Sequence, residues 1–152
     1  MAPAHYAAPG WFTRRVFNPT VAWLTRRGLS LAGSRVLEVR GRRSGQWRSV
    51  PVNLLDHDGR SHLVAARGET EWVRNLRAAG EGRLRLGRRV WTFRAEELPA
   101  EQRVDVLRAY LRRWAWEVGA FFEGVSADAS DDELLAVAHR HPVFVLEVTP
   151  ER

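Results

Sequence analysis

The sequence predicts an α+β domain, mainly β: about six antiparallel strands rolled into a small barrel, with helices packed outside. The apolar period changes to two at Arg35, and short alternating stretches recur from there on. Hairpin signals such as Asp58-Gly59 and Gly87 join these stretches, and helical segments do so only occasionally, which disfavours a doubly wound parallel sheet. Six strands within 152 residues favour a barrel, and an apolar segment after Pro142 is placed to return and close it.

Residues 1–10 are small and proline-rich and read as a loose tail. Residues 11–33 read as a helical arm: a short helix from Trp11 to Phe17, then a second one capped by Asn18, with Pro19 at its first position. That second helix ends at Gly28, with Arg26 and Arg27 in the last turn, where cations favour the helix dipole. The barrel domain spans 34–150. Val36 to Arg40 reads as a strand, Gly41 to Trp47 as a turn, Arg48 to Asp56 as the second strand and His62 to Ala66 as the third. Glu71 to Ala79 is a short helix, apolar at Trp72, Val73 and Leu76 and stopped by Gly80. Arg83 to Leu86 and Val90 to Arg94 form a hairpin. Pro99 opens a longer helix whose stripe is Val104, Leu107, Leu111, Trp114 and Val118, ending at Gly119. Ser130 and Glu133 make a capping box for a last helix, terminated by Pro142, and Val143 to Val148 is the closing strand.

Composition removes several function classes. Hydrophobic residues are 45% and charged residues 28%, an ordinary globular balance. There is no cysteine, which excludes disulfides, thiol catalysis and cysteine-ligated metal and is compatible with a reducing cytoplasm. The net charge is +6, and all 24 basic residues are arginine. Such total exclusion of lysine reflects a high-GC coding bias more than selection for a polyanion, so no nucleic-acid partner is expected. The positive field still draws small anionic ligands. The uncharged run Val16 to Thr25 is far shorter than the ~20 residues of a membrane span, and no signal peptide is recognisable. The aromatic face of Trp11, Phe12, Val16, Phe17, Trp23 and Leu24 has two readings: a helix packed over the barrel mouth, or a peripheral contact with the inner membrane face.

No G-x-G-x-x-G after a strand, no phosphate-binding G-x-x-x-x-G-K-[ST] and no G-x-S-x-G occurs. His139 and His141 stand two apart at a helix end and read as exposed or capping, without the companions a metal site needs. The distinctive stretch is Gly41-Arg42-Arg43-Ser44-Gly45, followed by Arg48 and Val50-Pro51-Val52. Two glycines permit a tight turn with inward N–H groups, and Arg42, Arg43, Ser44 and Arg48 add donors for a phosphate. Pro51 inside a strand implies an edge or bulge, where neighbouring amides can meet a ligand. The competing reading is an arginine-rich loop in solvent. In a second stretch, Ala65-Ala66-Arg67-Gly68 leads into the helix of Trp72, Asn75 and Leu76. There a flat ring can approach the small residues, Trp72 can stack on it and Asn75 can bond it. Alternatively, Trp72 and Leu76 are a core pair and Asn75 is solvated.

Taken in order, these motifs resemble the deazaflavin-dependent nitroreductases, also called F420H2-dependent quinone reductases. The likeness extends over about residues 10 to 148 and is most specific from 36 to 86. It implies a split β-barrel similar to that of the flavin-nucleotide oxidases. It also implies coenzyme F420, an 8-hydroxy-5-deazaflavin whose phosphate and oligoglutamate tail are acidic. On this resemblance the cofactor site comprises Arg42, Arg43, Ser44, Gly45 and Arg48, the ring-lining stretch Ser49, Val50, Pro51, Val52 and Asn53, the strand end Ala65, Ala66, Arg67 and Gly68, and Trp72, Asn75 and Leu76 of the helix. Arginine stands at 43 where better-known members carry lysine, and the loop before the helix is shortened to Arg67-Gly68-Glu69-Thr70-Glu71. Tyr110, Trp114 and Phe122 are the candidates for contact with the substrate. The cofactor carries the chemistry, so no protein nucleophile is expected.

The resulting expectation is a hydride-transferring F420H2-dependent oxidoreductase acting on a quinone, nitroaromatic or enone. Two alternatives stand beside it. One is a split-barrel flavoprotein using FMN, FAD or a related cofactor. The other is a non-catalytic basic module that binds cofactor or membrane.

Overall fold

The computed structural model describes residues 34–150. Both helices expected in the N-terminal arm, and the reading of residues 1–10 as a tail, lie outside the described residues. Six strands form a closed antiparallel barrel: β1 (Ser34–Arg40), β2 (Trp47–His57), β3 (Arg60–Val64), β4 (Glu81–Leu86), β5 (Arg89–Glu97) and β6 (Val143–Pro150). Their order around it is β1-β2-β3-β6-β5-β4, closed where β1 pairs β4. The helices are α1 (Glu71–Ala79), α2 (Val104–Val118) and α3 (Asp131–Ala138).

Local chemistry accounts for most of these elements. The β2–β3 hairpin turns at Asp58-Gly59, both at positive φ (53° and 74°), as a two-residue turn matched to strand twist demands. α1 ends where Gly80 adopts φ 71° and returns its N–H to the Leu76 carbonyl. The Ser130–Glu133 capping box is formed in both directions. The expected α2 stripe, Val104, Leu107, Leu111, Trp114 and Val118, is buried throughout.

Most strands extend one to three residues past the expected limits, and Pro99 opens a 3-10 turn (Ala100–Gln102) before α2 starts at Val104; two other differences have a clear cause. β3 ends at Val64 and not at Ala66. Its partner β6 begins at Val143, preceded by Pro142, which has no N–H to extend the ladder; a single bond from Ala65 N–H to the Pro142 carbonyl follows the last pair. The other concerns Gly119, which keeps a helical φ of −54°, so the chain runs on as a 3-10 turn through Phe122 before Glu123 and Gly124 turn it away.

The core has two parts. Inside the barrel, Leu37, Val39, Leu63, Leu84, Phe93, Phe144 and Leu146 meet Val73 and Leu76 of α1. Outside it, Leu55, Val64 and Val143 pack under α2 and α3 with Leu107, Leu111, Trp114, Phe122 and Leu134. β3 and β6 are thus covered on both faces, which explains the unbroken apolar run Val143–Leu146.

Candidate functional site

The turn between β1 and β2 holds itself in shape. Gly41 N–H donates to the Gln46 carbonyl (2.8 Å), Gly45 N–H donates to the Gly41 carbonyl (2.9 Å), and Ser44 Oγ accepts from Gln46 N–H (3.1 Å). Gly45 sits at φ 73°, open to glycine without strain. A Cβ added to Gly41 would lie 2.8 Å from Ser44 Oγ and 3.6 Å from Arg48 Nε. The Gln46 carbonyl would lie 3.4 Å away, so glycine at 41 is what lets the buried start of this turn close on itself, with the Ser44 hydroxyl drawn in over it.

The arginines of this turn divide into two kinds. Arg42 is turned onto α1. Its backbone N–H and its Nη1 both donate to Asn75 Oδ1 (3.0 and 2.8 Å), and Nη1 also donates to Glu71 Oε1 (3.0 Å). Its side chain is 20% exposed. Arg42 is thus a clasp between turn and helix, and its peptide N–H is already engaged. Asn75 is buried in this clasp at 5% exposure and is not solvated. Arg43 and Arg48 are exposed and form no hydrogen bond or ion pair with the described residues.

β2 supplies the next wall. Residues 47–53 pair with β1 on one edge, whereas residues 54–57 pair with β3 on the other. Among the described residues, the β3-facing edge of β2 is therefore without a strand partner from Trp47 to Asn53. Pro51, opposite Val36, lies within this stretch, as its missing N–H led one to expect. Val50 and Val52 pack toward the barrel interior, so Ser49, Pro51 and Asn53 face outward. Asn53 Nδ2 donates to Glu117 Oε1 of α2 (2.9 Å), near the buried Tyr110 hydroxyl. Burial pushes that hydroxyl above its ordinary range, so Tyr110 is a neutral phenol.

Opposite that edge runs the loop from Ala65 to Thr70. Gly68 N–H donates to the Ala65 carbonyl (3.0 Å), with Gly68 at φ 85°. His141 anchors the loop from below: its Nδ1 lies 3.3 Å from the Ala65 carbonyl, and its ring stacks on Phe122 at 3.9 Å. His141 is 3% exposed, and burial holds its pKa below the ordinary imidazole value. The expectation of an exposed or capping histidine holds for His139 alone. His141 is drawn inside because Pro142 starts the return of the chain into β6. The Arg67 guanidinium lies over Phe121 at 4.9 Å, and Thr70 Oγ1 is buried without a hydrogen-bond partner.

The sequence-derived residues therefore fall into groups. Arg43, Ser44, Gly45, Arg48, the outward face of 49–53, and Ala65 to Gly68 border the gap left where β2 and β3 diverge. Leu76 is fully buried core, and Trp72 is half-buried against Phe144 at 6.1 Å, which is the core-pair reading. Tyr110, Trp114 and Phe122 are 4%, 0% and 0% exposed and pack between α2 and the barrel. Trp114 belongs to the α2 stripe, Tyr110 lies one turn before it on the same helix, and Phe122 is in the 3-10 turn that follows. Sequence reasoning missed Glu71, Glu117 and Phe121. Only Glu71 had a local signal, as an acid opening a helix; the other two matter through long-range contacts.

Two observations fit an acidic, flat cofactor here: Arg43 and Arg48, uncommitted among the described residues, and the edge of β2 that has no strand partner among them, facing a loop of small residues. The donor set suits any phosphate-bearing ring. A separate cleft of about 430 Å³ lies between Trp47 and Arg83, Thr92, Arg94, Glu147 and Thr149, on the solvent side of β4–β6. There the Arg40 and Arg83 guanidiniums stack on the Trp47 ring at 4.5 and 3.8 Å. Among the described residues no group of three histidine or carboxylate side chains is placed to hold a metal ion, and no helix is long and apolar enough to cross a membrane.

The family model for F420H(2)-dependent quinone reductases matches residues 14–120. Among solved structures, an F420-H2 dependent reductase (FDR-A) superposes with a TM-score of 0.53 at 21% identity, covering 76% of this chain and 94% of that one. A structure described as a domain-swapped dimer gives 0.55 at 19% identity, over 92% of this chain and 100% of that one. A protein of unknown function from Agrobacterium tumefaciens gives 0.56 at 15% identity, over 98% and 61% respectively. At these identities the structural likeness is one of fold. No curated protein matches the chain.

Proposed function

Because the chain belongs to the F420H(2)-dependent quinone reductase family, and is therefore an F420H2-dependent oxidoreductase using coenzyme F420, we propose that the gap between β2 and the Ala65–Thr70 loop is where that cofactor sits. Arg43, Arg48 and Ser44 hold its acidic end. The outward face and free edge of β2 from Ser49 to Asn53, with Ala65 to Gly68 opposite, border its ring. Arg42 and Asn75 act from behind by fixing the turn to α1.

When bound in reduced form, the cofactor supplies a hydride. The protein's part is to orient, to balance charge and to keep one ring face open to a guest. Peptide groups along the free edge can balance charge on the ring. The Asn53–Glu117 hydrogen bond keeps the far end of that edge in place, with Tyr110 a buried neutral phenol nearby. The acceptor we infer is a small, flat, electron-poor molecule: a quinone, a nitroaromatic or an enone. The absence of cysteine suits a cytoplasmic setting.

The observation that carries the site assignment is a pair of exposed arginines, Arg43 and Arg48, uncommitted among the described residues, beside a strand edge that has no strand partner among them. A fluorescence titration with F420, run against FMN and FAD, tests it. Anaerobic oxidation of F420H2 by a panel of quinones, nitro compounds and enones then tests the acceptor class. Micromolar or tighter F420 binding with weaker FMN and FAD binding is expected. Preference for FMN would overturn the assignment.

A further inference from the structure

Glu71 stands out in this basic rim. Its carboxylate is 72% exposed, yet it bridges Arg42 Nη1 (3.0 Å) and Arg74 Nη1 (3.8 Å). It also lies within the field of Arg43. Its hydrogen bond with Arg42 holds its carboxyl below the usual carboxylate range, so it is ionised at neutral pH. Glu71 is therefore an internal anion resting where the ligand's negative groups would be drawn.

Its two partners are held unequally. Asn75 keeps Arg42 in place whatever Glu71 does, since two of the clasp's bonds bypass the carboxylate. Glu71 itself is on the surface, on the first residue of α1, and can swing away without disturbing the core. A ligand carboxylate arriving at this rim must either displace Glu71 from Arg42 and Arg74 or remain opposed by it. The opposition grows with each further negative charge on the ligand, while a neutral ring feels none of it.

We propose that Glu71 is a built-in counter-anion that sets how many negative charges on the cofactor's acidic tail the site accepts, making it a specificity-determining residue for tail length. This rests on placing the cofactor's acidic end at Arg43 and Arg48. Exposed charges are screened within about 10 Å at 0.1 M salt, so the effect is confined to groups at the rim and fades as salt rises.

The test compares the wild type, Glu71→Gln and Arg74→Gln by fluorescence titration. The probes are F420 with one tail glutamate, F420 with several, and the parent 8-hydroxy-5-deazaflavin without phosphate or tail. Glu71→Gln should tighten the short-tailed form by about threefold and the long-tailed form by about tenfold, leave the parent ring unchanged, and lose its advantage at high salt. Arg74→Gln should shift the long-tailed form the opposite way, a pairing that misfolding cannot produce. Equal shifts for all three ligands, or none, with normal wild-type binding, would overturn the proposal alone. If the wild type binds the tailed forms no better than the parent ring, the site reading falls and the proposal falls with it.

Discussion

Arginine alone cannot tell a binding residue from a scaffold residue; the partner decides. Arg42 has two acceptors on α1, whereas Arg43 and Arg48 have none among the described residues. Replacing Arg43 and Arg48 together by alanine should weaken F420 binding at least about tenfold while leaving thermal unfolding nearly unchanged, because charge-assisted contacts to the ligand are lost and no internal ones. Asn75→Ala should do the reverse in part. It strips the acceptor from the Arg42 peptide N–H and should lower stability by about 1–3 kcal/mol in urea unfolding, with weaker F420 binding as a consequence. Unchanged stability would show that the clasp is dispensable. His141 carries a pH signature. Burial lowers its folded pKa, and that of His62 as well, so the folded state resists protonation. The unfolded imidazole takes its proton near about pH 6.5. Above that pH both states are neutral and stability is flat. Below it the unfolded chain binds protons that the folded chain refuses, and stability falls until the folded pKa is reached. Urea midpoints should thus decline from pH 7 toward pH 5. His141→Gln should flatten part of that slope, with His62 keeping the rest; an unaltered slope would remove His141 from the account.

At the scale of elements, the proposed site lies where one strand changes partners. β2 is long enough to pair β1 over residues 47–53 and β3 over residues 54–57, and the stretch that, among the described residues, pairs β1 alone is the wall proposed for the site. Pro51 was legible as an edge marker because its missing N–H carries that meaning in any strand. The far limit of β3 was not legible, since Ala65 and Ala66 suit a strand and it is Pro142, just before β6, that stops the ladder. α3 illustrates the opposite case, where local chemistry suffices. Its Ser130–Glu133 box was plain from spacing and is formed. Ser130→Ala should lower Tm by about 2–4 °C, read by circular dichroism, without touching F420 affinity. A change in affinity would mean that α3 communicates with the site.

Across the whole molecule, a few arginines join elements that packing alone leaves loosely related. Arg103, 8% exposed, donates to the Leu98 carbonyl (2.8 Å), the Ala138 carbonyl (2.7 Å) and Glu97 (3.3 Å), tying the end of β5 to α2 and α3. Arg77 on α1 grips Glu69 and Glu97 at 2.7–2.9 Å. Glu97 therefore links the two helical layers to the barrel. Arg103→Ala leaves one buried carbonyl, one half-buried carbonyl and one carboxylate without this partner and should cost about 2–4 kcal/mol in global stability, with Arg103→Lys recovering only a fraction of it. A loss below 1 kcal/mol would show that the apolar contacts under α2 hold the layers unaided.

Hairpin turns, capping residues and alternating apolar positions act over a few residues, so the antiparallel barrel, its helices and the arginine-rich turn were determined by the sequence itself. The division of labour among those residues was a matter of tertiary structure. Which arginine is clasped, which histidine is buried under the loop, and that Tyr110, Trp114 and Phe122 fill the core all depend on partners distant in the chain, and a hydrogen bond or a burial cost exists only once the fold has brought those partners within reach.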